Sequence, residues 1–135
     1  MTLHFETTKS TDFVFDYLTD MNKFVSVHPI INRMDNLGNN TYLVYETLKI
    51  GFIPCSFTYP ATIESNYPKK NIVIRATVMK FIRIEMVFQL RMEKNKFTKI
   101  EENIRFDTSL PVKSIMQRVF TKQHKQLFEN IERLK

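Results

Sequence analysis

A chain of 135 residues with formal charge +6, one cysteine and two glycines has the size of one ordinary domain, spanning 1–135. Cys55 alone excludes an internal disulfide framework and a cysteine-rich zinc site, and Gly38 and Gly51 are too few for a phosphate-cradling loop. No apolar run approaches the roughly 18 residues of a membrane span, and residues 1–11 lack a secretory pattern, so a soluble cytoplasmic protein is expected.

Lys and Arg are scattered, with Lys69 and Lys70 the one compact pair, so the basic balance reads as a solvated surface rather than a nucleic-acid or membrane face. Seven Met and twelve Phe against no Trp suit either a deformable interior or an ordinary Met-rich core.

Leu3 and Phe5 alternate with His4 and Glu6, predicting a short first strand. Ser10 or Thr11 can cap a helix carrying Phe13, Val14, Tyr17, Leu18 and Met21 on one face, with Asp12 in its first turn. A second helical turn through 24–27 stops before Pro29, because proline disfavours the helical conformation in the residue ahead of it. From Ile31 the period becomes two, and Leu37, Gly38, Asn39 and Asn40 form a turn that tolerates positive φ.

The strand Thr41–Ile50 places Tyr42, Val44, Leu48 and Ile50 on one face, and residues 51–54 then interrupt it as a bend or loop. Cys55, Phe57, Tyr59, Ala61 and Ile63 make the next apolar row, in which Pro60 argues for an edge or a bulge. Another strand carries Ile72, Ile74, Ala76 and Val78. The clearest alternation is Ile82, Ile84, Met86, Phe88, Leu90 and Met92 against charged and polar neighbours, a strand with one dry and one wet face. Lys94 and Asn95 form a tight hairpin into a last strand with Thr98, Ile100, Ile104 and Phe106 on one face.

Residues 112–135 read as one amphipathic helix of roughly 36 Å, opened by Pro111 in its first turn. Val112, Met116, Val119, Phe120, Leu127, Ile131 and Leu134 share its apolar face, with Ile115 and His124 at the edge and Gln123 near the centre. A twisted antiparallel sheet curls, and such a helix can plug its concave side. The fold class is therefore α+β, a helix-grip in which a curved antiparallel sheet wraps around a long C-terminal helix.

This order of elements, the early helix through residues 10–18 leading to His28 and Pro29, and the terminal helix together resemble the START-like superfamily. That group is also called SRPBCC or Bet v 1-like and includes polyketide cyclase/dehydrase-type proteins. The resemblance covers essentially the whole chain. It implies a cavity between sheet and helix that takes lipids, sterols, polyketides or similar hydrophobic molecules, in carriers as well as in cyclases. It carries over no catalytic residues.

Polar residues on inward faces are the candidates for chemistry. Glu46 shares the parity of Tyr42, Val44 and Leu48, and Glu102 that of Ile100, Ile104 and Phe106. A carboxylate buried without partners costs several kcal/mol, so each one pairs, protonates or lines a wet cavity, unless a bulge turns it outward. Tyr42 and Tyr59 offer hydroxyls to a ligand or serve as ordinary core tyrosines. Met86 and Phe88 on the sheet, with Met116, Phe120, Gln123 and Leu127 on the helix, would face each other across the cavity; by periodicity alone they are core.

His28 and His124 have no partner at metal-ligand spacing, so neither a metal nor a cofactor is expected, and Cys55 reads as a buried inert thiol. The leading expectation is binding of a hydrophobic or amphipathic small molecule. The alternatives are a cyclase- or dehydratase-like reaction with Glu46 or Glu102 as base, and a basic module docking on RNA, a ribosome or an anionic membrane. A homodimer through an exposed strand edge is compatible with the pattern.

Overall fold

Each run of period two forms a strand, and each helical run a helix, in the computed structural model, which describes residues 1–135 apart from the side chain of Ile50. The elements are β1 (Thr2–Thr7), α1 (Thr11–Thr19), α2 (Met21–Val27), β2 (Ile31–Gly38), β3 (Thr41–Ile50), β4 (Ile53–Asn66), β5 (Asn71–Val78), β6 (Ile82–Met92), β7 (Thr98–Asp107) and α3 (Lys113–Glu132). All seven strands form one antiparallel sheet in the order β1-β7-β6-β5-β4-β3-β2. The first strand thus lies beside the last, and β1 and β2 are the edges.

Local chemistry sets the helix ends. The Ser10 side chain accepts the Phe13 N–H at 3.1 Å and caps α1, and Asp20 does the same for the Asn22 and Lys23 amides at the start of α2. Each cap satisfies first-turn amides that have no helical partner. At the end of β2, Gly38, Asn39 and Asn40 all have positive φ, as the turn chemistry requires.

Several local expectations change. Residues 51–54 are not a loop: Gly51, at φ 65°, and Phe52 make a two-residue turn, and Ile53 and Pro54 already pair with Ile50 and Lys49. Pro54 and Pro60 are tolerated because β4 meets β5 only from Ala61 onward, which leaves the earlier half of β4 an edge. The β6–β7 connection is wider than a Lys94-Asn95 hairpin, since the strands end at Met92 and resume at Thr98; Met92 lies at this end and is exposed despite its parity. Pro111 lies just outside α3, whose N-cap is Val112. Cys55 is half-buried rather than buried, because it sits on the part of the β3–β4 hairpin that projects past its neighbours. The facing assigned to Ile50 lies outside the described residues.

The interior has two cores. The larger packs Val14, Leu18, Phe24 and Val27 from α1 and α2 against Val44, Ile72, Phe88 and Ile100 of the sheet and Leu127, Phe128 and Ile131 of α3. The smaller joins Ile82, Ile84, Ile104 and Phe106 to half-buried Val112, Met116 and Phe120 at the start of α3. Met86 touches both.

Candidate functional site

Sheet and α3 do not close on each other along their whole length. A cavity of about 240 Å³ opens between them, lined by members of both cores. It is smaller than the roughly 300–1,000 Å³ usual for ligand pockets. Its walls are apolar, with Phe57, Met86, Phe88, Met116 and Phe120 among them. Met79 and Ile115 line it while 58% and 56% exposed, and so mark its open end.

The polar groups that line it are few. On the inward face of the β3–β4 hairpin, the Tyr59 hydroxyl donates to Glu46 Oε2 at 2.7 Å. Removal from water pushes the Glu46 carboxyl above the usual range, partly offset by that hydrogen bond. The same desolvation, reinforced by the Glu46 charge, pushes the Tyr59 phenol up. Gln123 adds its amide from α3.

His28 ends α2, and its Nδ1 accepts the N–H groups of Ile30 and Ile31, both at 3.2 Å. An Nδ1 that accepts two amides carries no proton, so the ring is neutral with its proton on Nε2. Burial, then the neighbouring His124, lower its pKa to about 3. The two imidazoles lie with ring centroids 6.3 Å apart.

His124 is itself buried at 4% exposure, between Phe88 and Phe120. Its Nδ1 lies 2.7 Å from Oε1 and 2.6 Å from Oε2 of Glu102, which is 0% exposed. Oε2 has no hydrogen-bond donor of acceptable geometry among the described residues. The pair joins β7 to α3 and leaves His124 Nε2 as the ring nitrogen not engaged by the carboxylate. Among the described residues no three His, Cys, Asp or Glu side chains converge as a metal site.

Of the residues singled out from sequence, Glu46, Tyr59, Met86, Phe88, Met116, Phe120, Gln123 and Leu127 line the cavity. Two do not. Tyr42 packs against the larger core at the start of β3, where neighbouring side chains fill the space. Glu102 faces inward as its parity requires, but it lies against His124 and outside the cavity lining. The imidazoles are what sequence reasoning left out of the site. His124 had a signal, lying four residues after Phe120 and three before Leu127 on the apolar side of α3. The signal for His28 was its place before Pro29 at a helix-to-strand junction, where a polar residue can cap or sit at a pocket mouth.

No family model and no curated protein matches the chain by sequence. Solved structures do match by shape. A conserved protein from Geobacillus kaustophilus superposes with a TM-score of 0.80 at 12% identity, over 97% of this chain and 91% of that one. A START superfamily protein from Mycobacterium smegmatis gives 0.76 at 13%, over 98% and 93%. The Zhui aromatase/cyclase from Streptomyces sp. R1128 gives 0.73 at 10%, over 97% and 89%. At these identities the likeness is one of fold, and the fold is the START-like helix-grip.

Proposed function

We propose that this START-like chain binds a hydrophobic or amphipathic small molecule between sheet and α3, with the apolar body of the ligand against the Phe and Met walls. Its polar end would meet Glu46, His28, Gln123 and His124. The observation that carries the reading is an apolar cavity, open at one end, whose few polar groups include a desolvated carboxyl and two imidazoles. A merely structural interior would gain stability by filling this space with side chains, since each void forfeits contact energy. The START-like and aromatase/cyclase structures of the same fold support the reading at the level of class.

Native mass spectrometry of freshly purified protein, followed by organic extraction, tests it. A reproducible one-to-one hydrophobic adduct is expected, lost in Phe120→Asp and Met86→Asp variants that still fold. A clean apo mass with no melting shift across a panel of lipids and phenols would count against it.

A second reading is carried by the Glu102–His124 pair, which has the arrangement of a carboxylate-supported general base. Here the ligand is a substrate, and His124 or Glu46 moves a proton within a cyclase- or dehydratase-like reaction. Once a ligand is in hand, turnover at saturating ligand should fall in both His124→Gln and Glu46→Gln. Equal turnover in all three proteins would remove this reading.

A further inference from the structure

The protein carries 20 Lys and Arg residues, yet among the described residues none lines the cavity. Its titratable lining consists of Glu46, Tyr59, His28 and His124. Each is committed in a way that leaves no free positive charge. The Nδ1 of His28 is taken by two backbone amides, which leaves a neutral ring with one N–H to give. Any charge on His124 is balanced by Glu102, 2.6 Å away. Tyr59 donates its only proton to Glu46, whose other oxygen, Oε1, is left as an acceptor. An anionic head group would enter an apolar space with a carboxyl in it and no cation to pair with, and a buried anion without a partner is strongly disfavoured.

We infer that the ligand's head group is a hydrogen-bond donor without negative charge, a hydroxyl or an amine, and that carboxylates, sulfates and phosphates are rejected. Glu46 Oε1 accepts from that head group, and His28 Nε2–H donates back to it where the head has a lone pair. The inference rests on the ligand-binding reading above and adds its substrate class. Size narrows the class further. About 240 Å³ is the bulk volume of about eight waters at roughly 30 Å³ each, room for one or two rings rather than a sterol or a phospholipid.

The test uses the intact chain at neutral pH and three matched probes: 2-naphthol, 2-(aminomethyl)naphthalene and 2-naphthoate. With no Trp in the chain, naphthalene emission has to be separated only from the shorter-wavelength emission of five Tyr residues. The alcohol and the amine should saturate, and the acid should bind at least about 100-fold more weakly. Naphthoate binding as tightly as naphthol would overturn the inference and leave ligand binding standing. Failure of all three, with no melting shift, would overturn both.

Glu46→Gln separates the two donors. A tenfold or greater loss for the amine, with the alcohol changed less than about threefold, identifies an ammonium on a charged Glu46. Comparable losses for both identify a neutral donor. Unchanged affinity for both overturns Glu46 as the head-group partner. The wild-type comparison stands by itself should that variant fail to fold.

Discussion

From His124 onward, α3 is held at every turn, whereas from Lys113 to Lys122 its inward side chains are only half-buried and look onto the cavity. In the later half, His124, Leu127, Phe128 and Ile131 are buried, and the Phe128 ring lies 4.6 Å from Phe5. The Asn130 amide donates to the Val27 carbonyl at 2.8 Å. Glu132 accepts from the hydroxyls of Thr7 and Thr8 and from the Thr8 N–H, tying the last turn to the end of β1. Among the described residues the earlier half has one such tie, a long one from the Thr121 hydroxyl to the Met1 sulfur at 3.7 Å. Its N-cap, Val112, offers no side-chain oxygen to the first-turn amides, and Ile115 is 56% exposed. One helix therefore does two jobs. Stability is concentrated where it crosses β1 and β7, and the half that faces the cavity is left cheap to displace.

The largest expected effect is at the junction of the two halves. His124→Ala removes the partner of a fully buried carboxyl and should cost roughly 3–5 kcal/mol in chemical denaturation. A paired Glu102→Leu, His124→Phe replacement should recover most of it, because apolar side chains of similar volume leave no buried charge. A loss below about 1 kcal/mol for His124→Ala would mean the pair does not hold the helix.

Next in size is a contrast within α3 itself. Ile131→Ala, at a position with 0% exposure and outside the cavity lining, should cost about 2–5 kcal/mol, and Met116→Ala, beside an existing cavity, less than about 1 kcal/mol. Equal losses would mean that both halves are packed alike.

A smaller effect depends on acid. The pKa of His28 is about 3 in the folded chain against 6.5 for a free imidazole, so between these values the unfolded chain binds the extra proton. Stability should therefore fall as pH drops through that window, by at most about 1.4 kcal/mol per pH unit from this group. Glu46 has the opposite sign: its raised pKa favours the folded state less as pH rises through it. His28→Asn keeps a side-chain acceptor for the Ile30 and Ile31 amides but cannot titrate. The difference between the two stability curves isolates His28, since Glu46, Glu102 and His124 are common to both proteins. A difference that does not vary with pH would place His28 in contact with water.

The smallest effect reads the comparison directly. Amide hydrogen exchange should be faster through residues 113–122 than through 123–132, and Thr8→Ala should narrow the gap by about 1 kcal/mol, the net worth of an ordinary, solvent-exposed hydrogen bond. Uniform exchange along α3 would erase the distinction between its halves.

Much of this architecture was readable in advance, because strand alternation and helix spacing are local properties. Ile82 through Leu90 specify a half-buried strand wherever it is placed, and Ser10 can cap α1 without help from distant residues. The reading was weakest where the chain changes partners. Pro54 looked like the end of a bend or loop, but a proline costs a ladder bond only where a neighbour is present, and there β4 has none on its β5 side. A single wheel for α3 also missed Phe128. The side chains buried at 124, 127, 128 and 131 centre about a quarter turn from the set that lines the cavity, which runs from 112, 115, 116 and 119 through 120 and 123 to 124 and 127.

Hydrophobic period alone established a curling antiparallel sheet with an amphipathic helix to cover it, and it put Glu46 and Glu102 on inward faces. Tertiary packing settled the rest. Parity says that a side chain points inward, but not whether it meets another side chain or a void; that depends on how far α3 stands from the sheet along its length. Nor can spacing bring Glu102 to His124, or His28 to either, since those meetings follow from the register of β7 under the helix and the angle at which α2 ends. The cavity and its polar groups are long-range consequences of a fold whose elements are locally encoded.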